Sequence, residues 1–468
     1  MTSVHVSLSL LPVLSTVIAL ALGARSLHAA LLGILSALAA ILLAFPMPAG
    51  SLWPTALRWT PILVEVLAIV AGGLLLAETL RQAGAQAALA DWIRARAGQG
   101  VGAVLLVVHG ITPFAESLTG FGIGVTIGIP LLAHFALPAR KVAVIGLLGL
   151  CAVPWGSMGP GTLIAASMAE LSFHDLGVAS AVVSLVPFVA TGIVAAWLAS
   201  PPGRRAGAVL QGVLSGCVLT ISVVAINILF GTPPAGALGA LAVIGLHLLR
   251  ARGRGTPPLA PIGRRALASY AVLLGGVLVA GWAVRATGLA EGWRYLASPA
   301  LWLFVAAFWF SPRLGDPAQR AWAAWLQVAP VTGLFIVLGV LMAASGMAAH
   351  LAQTLARAGT AYLAAAPFVG ATGGFVTGSN SGANAMFATT QAEIARSLGV
   401  DVLWFMAIHN VAAAFLLMAS PGKVEMAVQL SPTDAAAHRR WIQAVMLRVA
   451  FAVVVVLAAL NLALPSSG

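Results

Sequence analysis

Residues 113–128 read PFAESLTGFGIGVTIG, and residues 367–382 read PFVGATGGFVTGSNSG. Six positions recur at one constant offset: Pro113/Pro367, Phe114/Phe368, Gly120/Gly374, Phe121/Phe375, Gly124/Gly378 and Gly128/Gly382. A glycine-rich chain matches itself at scattered glycines, but a Pro and two Phe in register with three Gly mark an internal repeat. Each copy places Gly, Pro, Ser and Thr inside a long apolar run, where a membrane helix should be regular.

Working outward, the chain has 468 residues, of which 60% are hydrophobic and 8% charged. Its mean hydropathy is +1.02. That much apolar surface requires the bilayer as solvent. The net charge of +12 comes from arginines in short clusters between apolar segments, the pattern of positive-inside loops. The clusters therefore read as topology rather than as a polyanion site, and no nucleic-acid partner is expected. Cys151 and Cys217 lie in apolar surroundings without metal or CxxC spacing and read as free core thiols. The apolar run 8–23 has no basic residue before it and Arg25 after it, which reads as an uncleaved first span rather than a signal peptide.

Further spans are expected at 29–45 and 61–80, before a polar, basic stretch holding Arg81, Asp91, Arg94 and Arg96. Segment 101–137 then carries Glu116 as its single formal charge. One straight helix of that length would reach about 55 Å, nearly twice a hydrocarbon core of about 30 Å. No polar loop divides it, so a re-entrant hairpin fits, and irregular backbone at that depth must be buried in protein or line a wet cavity. A second break follows at 154–161, PWGSMGPG, where two Pro and three Gly cannot continue a helix. Spans are expected at 176–198, 206–230 and 235–249, then a basic linker at 250–265, then spans at 267–286 and 298–310. From residue 330 the first pattern replays: a span, a connector with His350 and Arg357, a hairpin at 362–390, a helix broken at 419–423 (ASPGK), and a final span. The expected organisation is a first repeat at 1–200, connecting spans at 201–327 and a second repeat at 328–468.

A helix interrupted inside the membrane exposes backbone N–H groups at the N-terminus of its second half. Such an end binds carboxylate without a side-chain cation, and paired interruptions of this kind point to a transporter's binding site. Thr377, Ser379, Asn380, Ser381 and Asn384 crowd the second copy, and Asn380 and Asn384 share a helix face. With Gly378, with Ser117, Thr119, Gly120 and Gly122 of the first tip, and with Ser157 and Ser420 of the breaks, they form the candidate substrate-binding set. Taken alone, Gly124-x-x-x-Gly128 and Gly378-x-x-x-Gly382 read as close-packing motifs; the repeat and the paired breaks weigh for a site. Glu116, an acid at membrane depth, is a functional candidate by default, and burial disfavours its charged form. Among His109, His134 and His409, the last is favoured as a proton carrier because it leads into the second break. Enzyme chemistry lacks support: there is no HExxH, and GSNSG at 378–382 has Asn380 where a nucleophile elbow needs serine. No cofactor and no metal are expected.

These residues resemble the L-lactate permease family. Glu116 to Gly122, ESLTGFG, is similar to its first glycine-rich motif, and 377–387, TGSNSGANAMF, to its second. The breaks are similar at Gly156, Met158 and Gly159, and at Met418, Ser420 and Pro421. The resemblance implies an all-α polytopic carrier with two inverted repeats, re-entrant hairpins, broken membrane helices and an elevator-like motion. It also implies proton symport of L-lactate, D-lactate, glycolate or related 2-hydroxy acids across the bacterial cytoplasmic membrane. Departures have consequences: Asn380 stands where the family has an acid, and Leu417 where it has a lysine. Proton coupling then falls to Glu116 or His409, and Lys423, a turn further on, substitutes for the lysine. Expected partners are a small carboxylate, protons and the bilayer, with a homodimer left open. The alternatives are a sodium-coupled or differently selective anion carrier of the same fold, and, in another class, an anion channel or a non-transporting scaffold.

Overall fold

The computed structural model describes residues 3–120, 122–250, 258–287 and 291–464, so Phe121 of the repeat and 251–257 of the basic linker lie outside the described residues. Among the described residues the chain is helical with no strand, and twelve helices are long and apolar enough to cross a membrane. It is a multi-pass all-α membrane protein.

The chain opens with α1 (Ser3–Ala21), α2 (Ser26–Leu43), the long α3 (Ala49–Gln82) and the short α4 (Ala85–Ala97). The first hairpin follows. Its descending arm is α5 (Val101–Leu105), a π-helical turn (Leu106–Ile111) and α6 (Thr112–Thr119), and its returning arm is α7 (Ile123–Ala133). Next come α8 (Ala139–Leu148), a 3-10 stretch (Gly149–Met158) and α9 (Pro160–Ala169), which together form one broken helix. α10 (Phe173–Val183) and α11 (Leu185–Ala199) make the next span, and α12 (Arg205–Phe230) and α13 (Thr232–Arg250) the two after it. The remainder is α14 (Pro261–Thr287), α15 (Pro299–Phe310), α16 (Gly315–Ala344), the short α17 (Met347–Leu355), a second hairpin of α18 (Thr360–Thr377) and α19 (Asn380–Leu398), a second broken helix of α20 (Val402–Leu416) and α21 (Pro421–Leu430), and α22 (Arg439–Leu462).

The second series from α14 replays the series from α1 element by element, and the packing crosses between them. α2 packs on α16 as α15 packs on α3; α1 packs on α17 as α14 packs on α4. The broken helix, α10/α11, α12, α13, α14 and α15 intervene between α3 and α16. An even number of crossings makes α16 run opposite to α3, which is the inverted relation. Side chains agree with this path: Arg265 at the start of α14 stacks 5.5 Å from the Phe310 ring at the end of α15. Likewise Lys141 donates to Leu198 O at 2.8 Å, and Arg140 lies 5.1 Å from the Trp441 ring, which gathers the start of α8, the end of α11 and the start of α22 at one face. Following the chain, Arg25, Arg81, Arg94, Arg204 and Arg439 share that basic face.

The expected spans are met with shifted boundaries. Pro54 and Pro61 lie inside α3 and Pro330 inside α16, so these helices start at Ala49 and Gly315 rather than at 61 and 330. Proline removes one helical N–H bond, a loss that membrane helices packed on neighbours tolerate. The second hairpin is wider than 362–390, and the polar stretch after α3 folds as α4, with Arg96 4.1 Å over the Trp92 ring. Burial separates the layers: 83% of the most apolar stretch in 101–119 and in 139–158 is buried inside the protein, against 17% of that in α1. The irregular backbone is thus inside the protein, as an environment without water requires.

Candidate functional site

At the first tip α6 ends at Thr119, and Gly120 and Gly122 take φ of +71° and +88°. The Glu116 carboxylate accepts the Gly122 N–H (2.9 Å to Oε1, 3.1 Å to Oε2) and the Gly124 N–H (3.1 Å to Oε2). The N-terminus of α7 is therefore closed by an acid of its own hairpin. Gly124 lets the arms approach: a Cβ there would lie 2.5 Å from Thr112 O. At Gly122 a Cβ would lie 2.8 Å from Lys423 Nζ, so the lysine of the second broken helix reaches the first tip.

The second tip is built differently. α18 ends at Thr377, Gly378 takes φ +63°, and Ser379 caps α19 by accepting the Gly382 N–H at 3.2 Å. The Thr377 hydroxyl donates to Gly373 O at 2.7 Å and accepts the Ser379 N–H at 3.2 Å. The N–H groups of Asn380 and Ser381 remain open, as the first turn of a helix leaves them. Asn380 donates through Nδ2 to Asn410 Oδ1 at 3.0 Å. Asn384 Nδ2 is in reach of Asn380 Oδ1, Asn410 Oδ1 and Gly161 O at 3.1, 2.9 and 3.1 Å. Asn410 in turn donates to Thr162 Oγ1 and Ser180 Oγ, both at 3.1 Å. This buried network joins α19, α20, α9 and α10.

The breaks complete the site. In the first, Ser157 (φ +42°) and Met158 (φ +65°) are non-glycine residues in the left-handed region, at a typical cost of about 1–3 kcal/mol each. Ser157 Oγ is buried without a hydrogen-bond partner. Beyond it α9 starts with Pro160, which has no N–H to offer, and the N–H groups of Gly161 and Thr162 are left open. In the second break Ser420 starts α21 without a side-chain cap, and its Oγ is likewise buried and unpartnered.

These elements line a half-open cavity of about 320 Å³, to which α16 contributes Gln327, Thr332 and Phe335. That volume is at the small end of the roughly 300–1,000 Å³ range of ligand pockets. Of the residues singled out from the sequence, Glu116, Ser157, Thr377, Gly378, Ser379, Asn380 and Ser381 line it, together with Lys423. Asn384 sits one layer behind, holding Asn380. Gly120 backs onto Ser157, and Gly122 faces Lys423. Ser420 lies beneath Gly378, 3.5 Å from where a Cβ would be. Two candidates point elsewhere: the Thr119 hydroxyl is spent on Ala115 O at 2.6 Å, and Ser117 faces α13, where a Cβ at Gly236 would lie 2.5 Å from its Oγ. His409 is also outside the cavity wall. Its ring is buried against Gly370 with no partner at either nitrogen. Sequence reasoning missed the parts played by Asn410, Thr162, Gln327 and Thr332. Asn410, a polar residue in an otherwise apolar run, was the signal available.

Chemically, the cavity presents the N-terminal dipole ends of α9 and α19, one ammonium and one carboxylate. Helix N-termini favour anions. The arrangement suits one small anion between α19 and Lys423.

Comparison with known proteins bears on the second half. Residues 314–462 match the family model described as L-lactate permease. Over 95 residues the chain is 33% identical to the L-lactate permease of Salmonella typhi and 34% identical to that of Escherichia coli (strain K12). Those alignments cover 20% of this chain and 17% of each relative. The crystal structure of the Alcanivorax borkumensis YdaH transporter superposes with a TM-score of 0.48 at 15% identity, over 87% of this chain and 86% of that one. The stretch similar to the L-lactate permease family model, residues 314–462, holds the second hairpin and the second break.

Proposed function

We propose that the chain is a secondary active transporter that moves a small monocarboxylate, such as L-lactate, D-lactate or glycolate, together with protons across the bacterial cytoplasmic membrane. The observation that carries this reading is the half-open cavity lined by the open N-termini of α9 and α19 and by Lys423, beside an acid that closes the N-terminus of α7. The name of the relatives, L-lactate permease, agrees with a carboxylate as cargo. The basic face of the helix bundle is cytoplasmic by the positive-inside rule. The second repeat, in this reading, begins at α14 rather than at residue 328, because α14 and α15 pack as α1 and α2 do.

In this mechanism the substrate carboxylate accepts N–H groups at the start of α19 and pairs with Lys423 Nζ. Its hydroxyl is read by Ser157 and Ser379, and Asn380 is kept in place by Asn384 and Asn410. A carboxylate entering beside an ionised Glu116 meets like charge, so each disfavours the other. Protonation of Glu116 removes that repulsion and loosens its charge-assisted hold on Gly122 and Gly124. Proton and anion then bind together, which is the condition for symport. His409 is a second proton site in this reading, supported by its unpartnered ring behind the second tip.

The test is uptake of labelled L-lactate into proteoliposomes with an inward proton gradient and no sodium. Uphill uptake that an uncoupler abolishes and glycolate competes with is expected. Uptake that needs sodium would replace the coupling ion, flux that never runs uphill would identify a channel, and no uptake of any carboxylate would overturn the reading.

A further inference from the structure

We infer that an anionic phospholipid binds in the groove between α11, α12 and α22, with its headgroup on Arg448 and an acyl chain along the groove. The groove has a volume of about 690 Å³ and is lined by apolar side chains, among them Val189, Ile193, Val453 and Val456, with Cys217 on α12 and Arg448 as the single charged member. Arg448 is exposed and makes no ion pair or hydrogen bond among the described residues. It stands nine residues into α22, about 13 Å from the helix start at 1.5 Å per residue. A guanidinium at that depth among apolar side chains is costly unless it meets an anion or snorkels to the headgroups.

The position of the groove indicates which anion. Its Arg448 end points to the basic face, where Arg140 stacks on Trp441 and Arg205 lies 4.4 Å from the Trp197 ring. Arg204 and Arg440 add charge at the same edge, and Glu425 is already paired with Arg439 at 2.8 Å. A basic pocket between membrane helices on that face is where anionic headgroups are held. A soluble anion would find one cation and no second polar group; an acyl chain explains the rest of the groove. The inference does not depend on what the central cavity carries.

Native mass spectrometry of the purified full-length chain, titrated with dioleoyl phosphatidylglycerol or dioleoyl phosphatidylcholine, tests this. The wild-type protein should retain one phosphatidylglycerol in preference to phosphatidylcholine. Arg448→Met should lower the phosphatidylglycerol affinity by about fivefold, the worth of one arginine at an anionic surface, and Arg448→Lys should keep most of it. Ala190→Phe, which fills the groove, should remove the bound lipid of either kind. Equal retention of both lipids by the wild type, or unchanged binding by Arg448→Met, would overturn the inference. So would a dimer that Ala190→Phe dissociates, since the groove would then hold a second copy of the chain. If Arg448→Met does not fold, the wild-type lipid preference and Arg448→Lys decide.

Discussion

The two hairpins share a sequence register and differ in what closes the helix at the tip. In the first, Glu116 reaches forward and its carboxylate takes the N–H groups of Gly122 and Gly124. In the second, the position matching Glu116 is Gly370, and only the Ser379 hydroxyl caps α19, on Gly382. One tip carries its own anion; the other leaves Asn380 and Ser381 N–H open to the cavity. The two copies thus differ in one respect: the first end is satisfied by its own side chain, and the second keeps two N–H donors unspent.

The largest effect should come from the cation that bridges the two tips. Lys423→Met removes the ammonium beside Gly122 and should cost about 2–5 kcal/mol of anion binding, the range for breaking a buried charge pair. Carboxylate KM in the proteoliposome assay would rise at least about 30-fold. An unchanged KM would mean that the open N-termini hold the anion alone, and the comparison would lose its link between the hairpins.

Next in size is the first tip itself. Glu116→Ala leaves two buried N–H groups without an acceptor, at about 1–3 kcal/mol for an unsatisfied group, and should lower the melting temperature in detergent. Glu116→Gln keeps an oxygen for those donors and should restore most of that stability, while uptake no longer responds to an imposed proton gradient. Gradient-driven accumulation by Glu116→Gln would place the coupling proton elsewhere, with His409 the next residue to substitute. Smaller again is Ser379→Ala at the second tip, which removes one cap worth about 1 kcal/mol. Equal losses from Ser379→Ala and Glu116→Ala would erase the asymmetry.

Much of this was legible in the sequence. The register of Pro113/Pro367 and Gly128/Gly382 located both hairpins, and the glycines and prolines of 154–161 and 419–423 located both breaks, because only such residues interrupt an apolar helix. What stayed hidden depends on rotamers and on distant packing. Glu116 read as an acid at membrane depth with no partner assigned, because a bond to an N–H six residues away leaves no pattern in composition. Thr119 and Ser117 sit beside the tip in sequence, yet a helix turns successive side chains about 100° apart, and these two face away from the cavity. That α14 and α15 pack as α1 and α2 do left no mark in the sequence, because the two pairs share no motif; their likeness lies in what they pack against.

The smallest expected effect concerns a contact that only the first unit has. Arg58 on α3 pairs with Glu170, the residue that follows α9, at 2.6 Å; no such pair joins α16 to the end of α21 among the described residues. Both side chains are well exposed, at 60% and 59%, so solvent screening leaves the pair worth less than about 1 kcal/mol. The Arg58 guanidinium, by its hydrogen bond, holds the Glu170 carboxyl below the usual carboxylate range. A carboxyl depressed in the folded state contributes stability above its unfolded pKa and loses it as pH falls through the folded one. Arg58→Gln should therefore melt slightly below the wild type at pH 7, and the gap should close as the pH is lowered through the carboxylate range. A gap that widens on acidification would rule out the ion pair as its source. A gap that closes while uptake is unaltered would show that the tie between α3 and α9 stabilises the first unit without taking part in transport.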